Sequence, residues 1–120
     1  MGAKLGERVY VGLDTILDPD FPELITVAAD AGFSIRNTFI THGVAYLPDE
    51  QGGRPRRLEY VAPIKVGART WIGGGCVILP GVTIGEDVII GGGAVVMDDI
   101  PDRVMAAGNP ARVIKERVLP

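Results

Sequence analysis

The chain has one histidine, His42, in a Thr41-His42 pair just before a stretch rich in Gly, Pro and charge. An unperturbed imidazole titrates near about pH 6.5, so it can be neutral and basic at cellular pH and suits general-base work. Four carboxylates cluster ahead of it, Asp14, Asp18, Asp20 and Glu23, three of them inside DPDFPEL, residues 18–24. A carboxylate there could accept hydrogen bonds from hydroxyl groups of a small molecule, or hold the imidazole in one tautomer. The plain alternative is a solvated acidic turn. The last eighteen residues gather Arg103, Arg112, Lys115 and Arg117. Arg112 and Lys115 stand three apart, would share a helix face, and could meet an anionic group. The single cysteine, Cys76, falls at a small position of a repeat and reads as core filling, not as a nucleophile.

The elements that must position these groups are announced by a period of six. Val66, Ile72, Ile78, Ile84, Ile90 and Val96 follow one another without a slip. Four of them are followed by glycine, which is expected to let the backbone turn a corner. Four residues after an aliphatic comes a small or β-branched residue: Thr70, Cys76, Val82, Val88, Ala94. This period fits neither a helix nor an alternating strand. It fits a parallel β-helix of hexapeptides, in which each aliphatic points inward and the core exists only because coils stack. A degraded register precedes it: Leu5, Val11 and Leu17, then Val27, Phe33 and Phe39. Phe33 and Phe39 are expected inside. Asn37 takes an inward slot, where it would satisfy backbone groups.

Two interruptions stand out. DPDFPEL carries two prolines and cannot be a central strand. Residues 43–59, GVAYLPDEQGGRPRRLE, read as a long extruded loop, and such loops are usually functional. Its Arg54, Arg56 and Arg57 could reach an anionic ligand. Val104–Ala107 could add a last strand. Asn109-Pro110 reads as a helix start, giving a short amphipathic helix over about 110–117 whose apolar residues cap the open end.

With 120 residues the chain is one domain, 1–120. A formal net charge of -3 argues against a nucleic-acid binder. One cysteine allows no internal disulfide and points to a cytoplasmic setting. The N-terminus has no apolar run of signal-peptide length, and no stretch approaches the roughly 20 apolar residues of a membrane span.

The string WIGGGCVILPGVTIGEDVIIGGGAVVMDDIPDRVMAAGNPARVIKE resembles the C-terminal half of the hexapeptide-repeat acetyltransferases, and most of all the maltose and galactoside O-acetyltransferase group. LDPDFPELITV followed by ITH is similar to a subgroup of these. The resemblance covers about residues 5–117. It implies an all-β solenoid, a left-handed parallel β-helix of triangular section. It also implies a homotrimer with sites between subunits, and direct transfer of an acetyl group from acetyl-CoA to a hydroxyl, often on a sugar, in a ternary complex. His42 then matches the catalytic base. The Gly74 N–H matches the donor to the thioester oxygen. Trp71 lies beside donor and acceptor, Gly92 meets the pantetheine arm, and Arg112 and Lys115 face the CoA phosphates. An acidic residue, Asp18 or Asp20, contacts the acceptor. No metal is implied. Three features depart from the pattern: Met97-Asp98-Asp99 where Thr-Lys-Asp is common, Glu59 before the returning strand, and a shortened N-terminal part. A γ-type carbonic anhydrase would need three histidines to hold zinc, and the chain has one. A non-catalytic β-helix that only binds or supports is the rival from a different class. Within the class, transfer to the amine of an amino sugar stays open.

Overall fold

In the computed structural model, which describes residues 2–118, the chain passes in rotation through three parallel sheets. The first coil holds β1 (Lys4–Leu5), β2 (Tyr10–Val11) and β3 (Ile16–Leu17), and the second β4 (Ile25–Val27), β5 (Gly32–Phe33) and β6 (Thr38–Phe39). A hairpin follows, β7 (His42–Leu47) and β8 (Arg56–Val61). The third coil is β9 (Ile64–Val66), β10 (Trp71–Ile72) and β11 (Val77–Ile78), the fourth β12 (Thr83–Ile84), β13 (Ile89–Ile90) and β14 (Val95–Val96). Strands β15 (Val104–Ala107) and β16 (Arg112–Glu116) close the chain. Sheet 1 runs β1-β4-β9-β12, sheet 2 runs β2-β5-β10-β13-β15-β16, and sheet 3 runs β3-β6-β11-β14.

The six-residue period explains this stacking. Two residues extend along a side, the second pointing inward, and the next four turn the corner. Three sides make 18 residues, the step from Val66 to Ile84, Ile72 to Ile90 and Ile78 to Val96 in the paired registers. Each inward aliphatic therefore sits on the one a coil below. Val66, Ile72, Ile78, Ile84, Ile90, Val96, Phe33 and Phe39 are all 3% exposed or less, as the spacing requires. At about 1.5–3 kcal/mol for each buried large aliphatic, this column is the main source of stability. Asn37 does what its slot suggests: its side-chain oxygen accepts the Cys76 N–H at 2.7 Å and its amide donates to the Ser34 carbonyl at 3.1 Å. Cys76 is buried, its thiol reaches the Gly91 carbonyl at 3.3 Å, and burial pushes the thiol pKa up, so it is inert filling.

Three expectations need correction, and one holds. The glycine after an aliphatic stands where a side chain would clash, since a Cβ on Gly73 would lie 2.6 Å from the Gly92 nitrogen. The left-handed residue comes two positions later, at Arg8, Asp30, Arg69, Asp87 and Arg103 among others, with φ from 56° to 63°. Residues 43–59 are not an irregular loop: β7 and β8 pair antiparallel from His42↔Val61 to Leu47↔Arg56. The expected helix over 110–117 is instead strand β16, antiparallel to β15. The open edge of sheet 2 offers a ladder of backbone partners there, and that outweighs a short helix of about two turns. Finally, Val113, Ile114 and Val118 are exposed and cap nothing in a single chain.

Candidate active site

Both interruptions leave the stack at the same corner. Leu5 and Val27 are paired neighbours 22 residues apart, four more than a regular coil, and the excess lies between Leu17 and Ile25. Val27 and Val66 are 39 apart, 21 more, and that excess lies between Phe39 and Ile64. Each insertion thus follows sheet 3 and precedes sheet 1, so one lies directly above the other. The Asp18 N–H donates to the Phe39 carbonyl at 2.9 Å, and the stacking carries Asp18 beneath Thr41 and His42.

Asp18 is 3% exposed. Its Oδ2 receives the Thr41 N–H at 2.9 Å and the Thr41 hydroxyl at 3.0 Å, and lies 2.6 Å from His42 Nδ1. Its Oδ1 receives the Asp20 N–H at 3.0 Å. Burial works to raise the Asp18 pKa, but the hydrogen bonds from Thr41, Asp20 and His42 together outweigh it and hold the group down at about 2. The carboxylate is therefore ionised at neutral pH and can only accept. In the neutral imidazole Nδ1 must then carry the proton, which leaves the lone pair on Nε2. Asp20 is the opposite case. Its side chain is 65% exposed, and its Oδ2 stands 3.5 Å from His42 Nε2, so both face the same open side of the imidazole. The Phe21 ring meets the imidazole edge-on, with centroids 5.6 Å apart. Pro22–Leu24 form one turn of 3-10 helix that brings Phe21 and Asp20 back over the corner. Asp14 has left the cluster, facing Arg36 at 3.8 Å, and Glu23 is exposed.

Sequence reasoning left Asp18 and Asp20 interchangeable. The structure separates them into a buried partner of Nδ1 and an open neighbour of Nε2. It missed Phe21 and the role of Thr41. The signal for Thr41 was a hydroxyl residue preceding the only histidine, and for Phe21 an aromatic between two prolines. Asp18, Asp20 and His42 each offer a ligand atom within 4.8 Å of one another. The Asp18 Oδ2 of that trio is already met by the Thr41 N–H, the Thr41 hydroxyl and His42 Nδ1.

The other candidates lie on a different edge. Trp71 stands on the outer face of sheet 2, stacked on Tyr10 at 6.2 Å across Gly32. A Cβ on Gly32 would lie 2.9 Å from the indole, so the absent side chain makes the shelf. Gly74 and Gly92 are the middle residues of the triplets 73–75 and 91–93, stacked at the corner between sheets 2 and 3, where the Gly93 N–H bonds the Gly74 carbonyl at 2.9 Å. Gly73 and Gly75 spend their N–H groups on Ile90 and Ile35, whereas the Gly74 N–H has no acceptor among the described residues. That leaves a donor for an incoming oxygen. Arg112 and Lys115 belong to β16 at the edge of sheet 2, so the shared helix face is replaced by strand geometry, and Arg112 meets Asp98 at 3.5 Å. One chain therefore carries the imidazole at one corner and the stacked glycine amides at another, and does not bring them together.

Among the described residues no helix is long and apolar enough to cross a membrane. The family profile described as bacterial transferase hexapeptide (six repeats) matches residues 63–98. A Saccharomyces cerevisiae protein, provisionally assigned as an acetyltransferase, is 44% identical over 84 residues, covering 67% of this chain and 43% of its own. The crystal structure of a maltose O-acetyltransferase from Clostridium difficile 630 is 30% identical, covers 97% of this chain and 70% of its own, and superposes with a TM-score of 0.67. A galactoside acetyltransferase solved in complex with coenzyme A is also 30% identical, covering 97% of this chain and 66% of its own, with a TM-score of 0.72. The chain spans less than half the length of the curated relatives it matches first.

Proposed function

The chain belongs to the hexapeptide-repeat acetyltransferase family, and from that premise we propose that it is an acetyl-CoA-dependent O-acetyltransferase acting on a sugar or similar hydroxyl acceptor. The observation that carries the reading is the His42–Asp18 pair: an anionic, buried carboxylate 2.6 Å from Nδ1, with Nε2 open beside an exposed carboxylate. A hydroxyl that donates to Nε2 loses its proton there as its oxygen attacks the thioester carbonyl, while the Asp20 carboxylate accepts from a second hydroxyl of the acceptor. Negative charge then builds on the thioester oxygen, and the free Gly74 N–H of a neighbouring chain can receive it. As the tetrahedral intermediate collapses, the C–S bond breaks and CoA leaves as the thiol, with His42 returning the proton. Asp18 orients the imidazole and offsets the charge it acquires. It is a positioning residue, and acceptor contact falls to Asp20. Trp71 and Gly92 flank the pantetheine arm, and Arg112 with Lys115 meets the phosphates.

The same geometry supports a homotrimer. Base and donor wall lie on different edges of one coil stack, so a complete site needs the wall of one chain to face the corner of the next. The outward residues of sheet 2 include Tyr10, Trp71 and Ile89, and those of sheet 3 include Ile16, Val77 and Val95, whereas sheet 1 presents Lys4, Thr26, Lys65 and Thr83. The apolar faces suit contact between copies and the polar face suits water. We read the coil as left-handed, the sense the family resemblance implies.

Thiol release from acetyl-CoA over a panel of sugars tests the activity. His42→Ala should lower kcat by about two to four orders of magnitude, the usual span for a lost general base, while keeping the wild-type mass in solution. A variant with near-normal kcat would remove His42 from the mechanism.

A further inference from the structure

Arg112 approaches Asp98 at 3.5 Å, with side chains 64% and 74% exposed. The carboxylate has no hydrogen bond among the described residues, whereas that of Asp99, the next residue, accepts the Thr83 N–H at 2.8 Å and ties two neighbouring coils together. So the fold uses Asp99 and leaves Asp98 with only Arg112. Both partners face water, which makes the pair weak and easily opened by a stronger anion. Yet its charge stays. Any phosphate that reaches the Arg112 guanidinium also comes close to an anion that is already there.

We propose that Asp98 is a specificity-determining residue of the donor site: it competes with the donor's phosphates for Arg112, and so lowers the affinity that a 3′-phosphomonoester adds to a CoA-type donor relative to one that lacks it. This rests on the assignment of Arg112 to the donor above. The penalty grows with the charge brought near, since Coulomb energy scales with the product of charges. A 3′-phosphomonoester carries nearly two negative charges and feels it most. A donor that has only the diphosphate, or a single phosphodiester, feels it less. The effect belongs to Asp98 alone, because removing the equal charge of Asp99 does not free Arg112.

The test is calorimetric titration of CoA and 3′-dephospho-CoA into the wild type, Asp98→Asn and Asp99→Asn, all at low salt and with melting curves to verify folding. Asp98→Asn should tighten CoA roughly threefold to tenfold, the scale of one exposed charge contact, and 3′-dephospho-CoA by less than about twofold. Asp99→Asn keeps an oxygen for the Thr83 N–H and should leave the preference between the two ligands unchanged. Equal tightening of both ligands by Asp98→Asn, no tightening, or the same effect from Asp99→Asn would overturn the proposal while sparing the donor site. Failure of either ligand to bind any of the three proteins would overturn the donor assignment itself, and the proposal with it.

Discussion

Two corners of the same coil treat charge in opposite ways. The corner between sheets 1 and 2 carries Arg8, Asp30, Arg69, Asp87 and Arg103, one per coil, all left-handed and alternating in sign. Four of them pair a coil apart, Arg8 with Asp30 at 2.6 Å and Arg69 with Asp87 at 2.9 Å, the guanidinium groups holding both carboxylates below their usual range, while Arg103 meets Glu86 at 3.7 Å. Arg117 adds a bond to the Asp87 carbonyl at 2.7 Å. Among the described residues the corner between sheets 3 and 1 has no such ladder. Its insertions break the 18-residue step, and its buried anion finds an imidazole in place of a guanidinium. The lesson is that a fixed spacing neutralises charge by repetition, whereas a broken spacing can leave a titratable pair poised. An arginine would hold Asp18 permanently, while a histidine can accept and return a proton at neutral pH.

The comparison breaks most visibly at Asp18. Asp18→Asn keeps shape but cannot act as an anion toward Nδ1, and it can offer its amide there, which favours the wrong tautomer. The expected result is a fall in kcat of about a hundredfold or more with KM for the acceptor little changed, measured by initial rates. If Asp18 touched the acceptor instead, KM would carry the loss. Asp20→Asn is the matched control and should move KM for the acceptor more than kcat.

A second effect is in stability against pH. The folded pKa of Asp18 lies at about 2, below the ordinary 3.8. Its ionised form is therefore the one folding favours. The contribution is fully present above about pH 4 and is lost as pH falls toward 2, with a limit of about 2 kcal/mol at 1.36 kcal/mol per unit. Urea unfolding of the wild type and of Asp18→Asn across pH 6 to 2 should show curves that converge at the acid end. Parallel curves would mean that Asp18 is not the group being protonated.

How much of this could be read from the residues follows the same division. The inward column from Val66 to Val96 was legible because one residue type recurs at one spacing, and burial demands nothing else of it. The site was legible only as a neighbourhood. Nothing in DPDFPEL says that its four extra residues turn back through Pro22–Leu24 to bury Asp18 and expose Asp20. That choice is made by the coil above, through Thr41. The hairpin was hidden for a related reason: RRLEYV looks like charged loop until it is paired with HGVAYL, and then all six residues find backbone partners. In β16 a helical pattern lost to an available sheet edge. The ladder at the other corner was invisible because its partners lie 18 or more residues apart and its backbone is one that Arg and Asp seldom adopt.

The smallest effect sharpens the comparison from the scaffold side. Arg69→Gln removes the central cation of the ladder and leaves Asp30 and Asp87 without their shared neighbour. These groups stand in water, so the lost attraction is screened and modest. Melting temperature should drop by less than it does for Asp18→Asn, the gap from wild type should close in about 1 M salt, and kcat should stay at the wild-type value. The salt dependence separates charge from packing, since a cavity or a lost hydrogen bond would persist at high ionic strength. A fall in kcat would mean that the two corners are coupled through the coil, and that the ladder does more than hold the register on which the His42 corner is built.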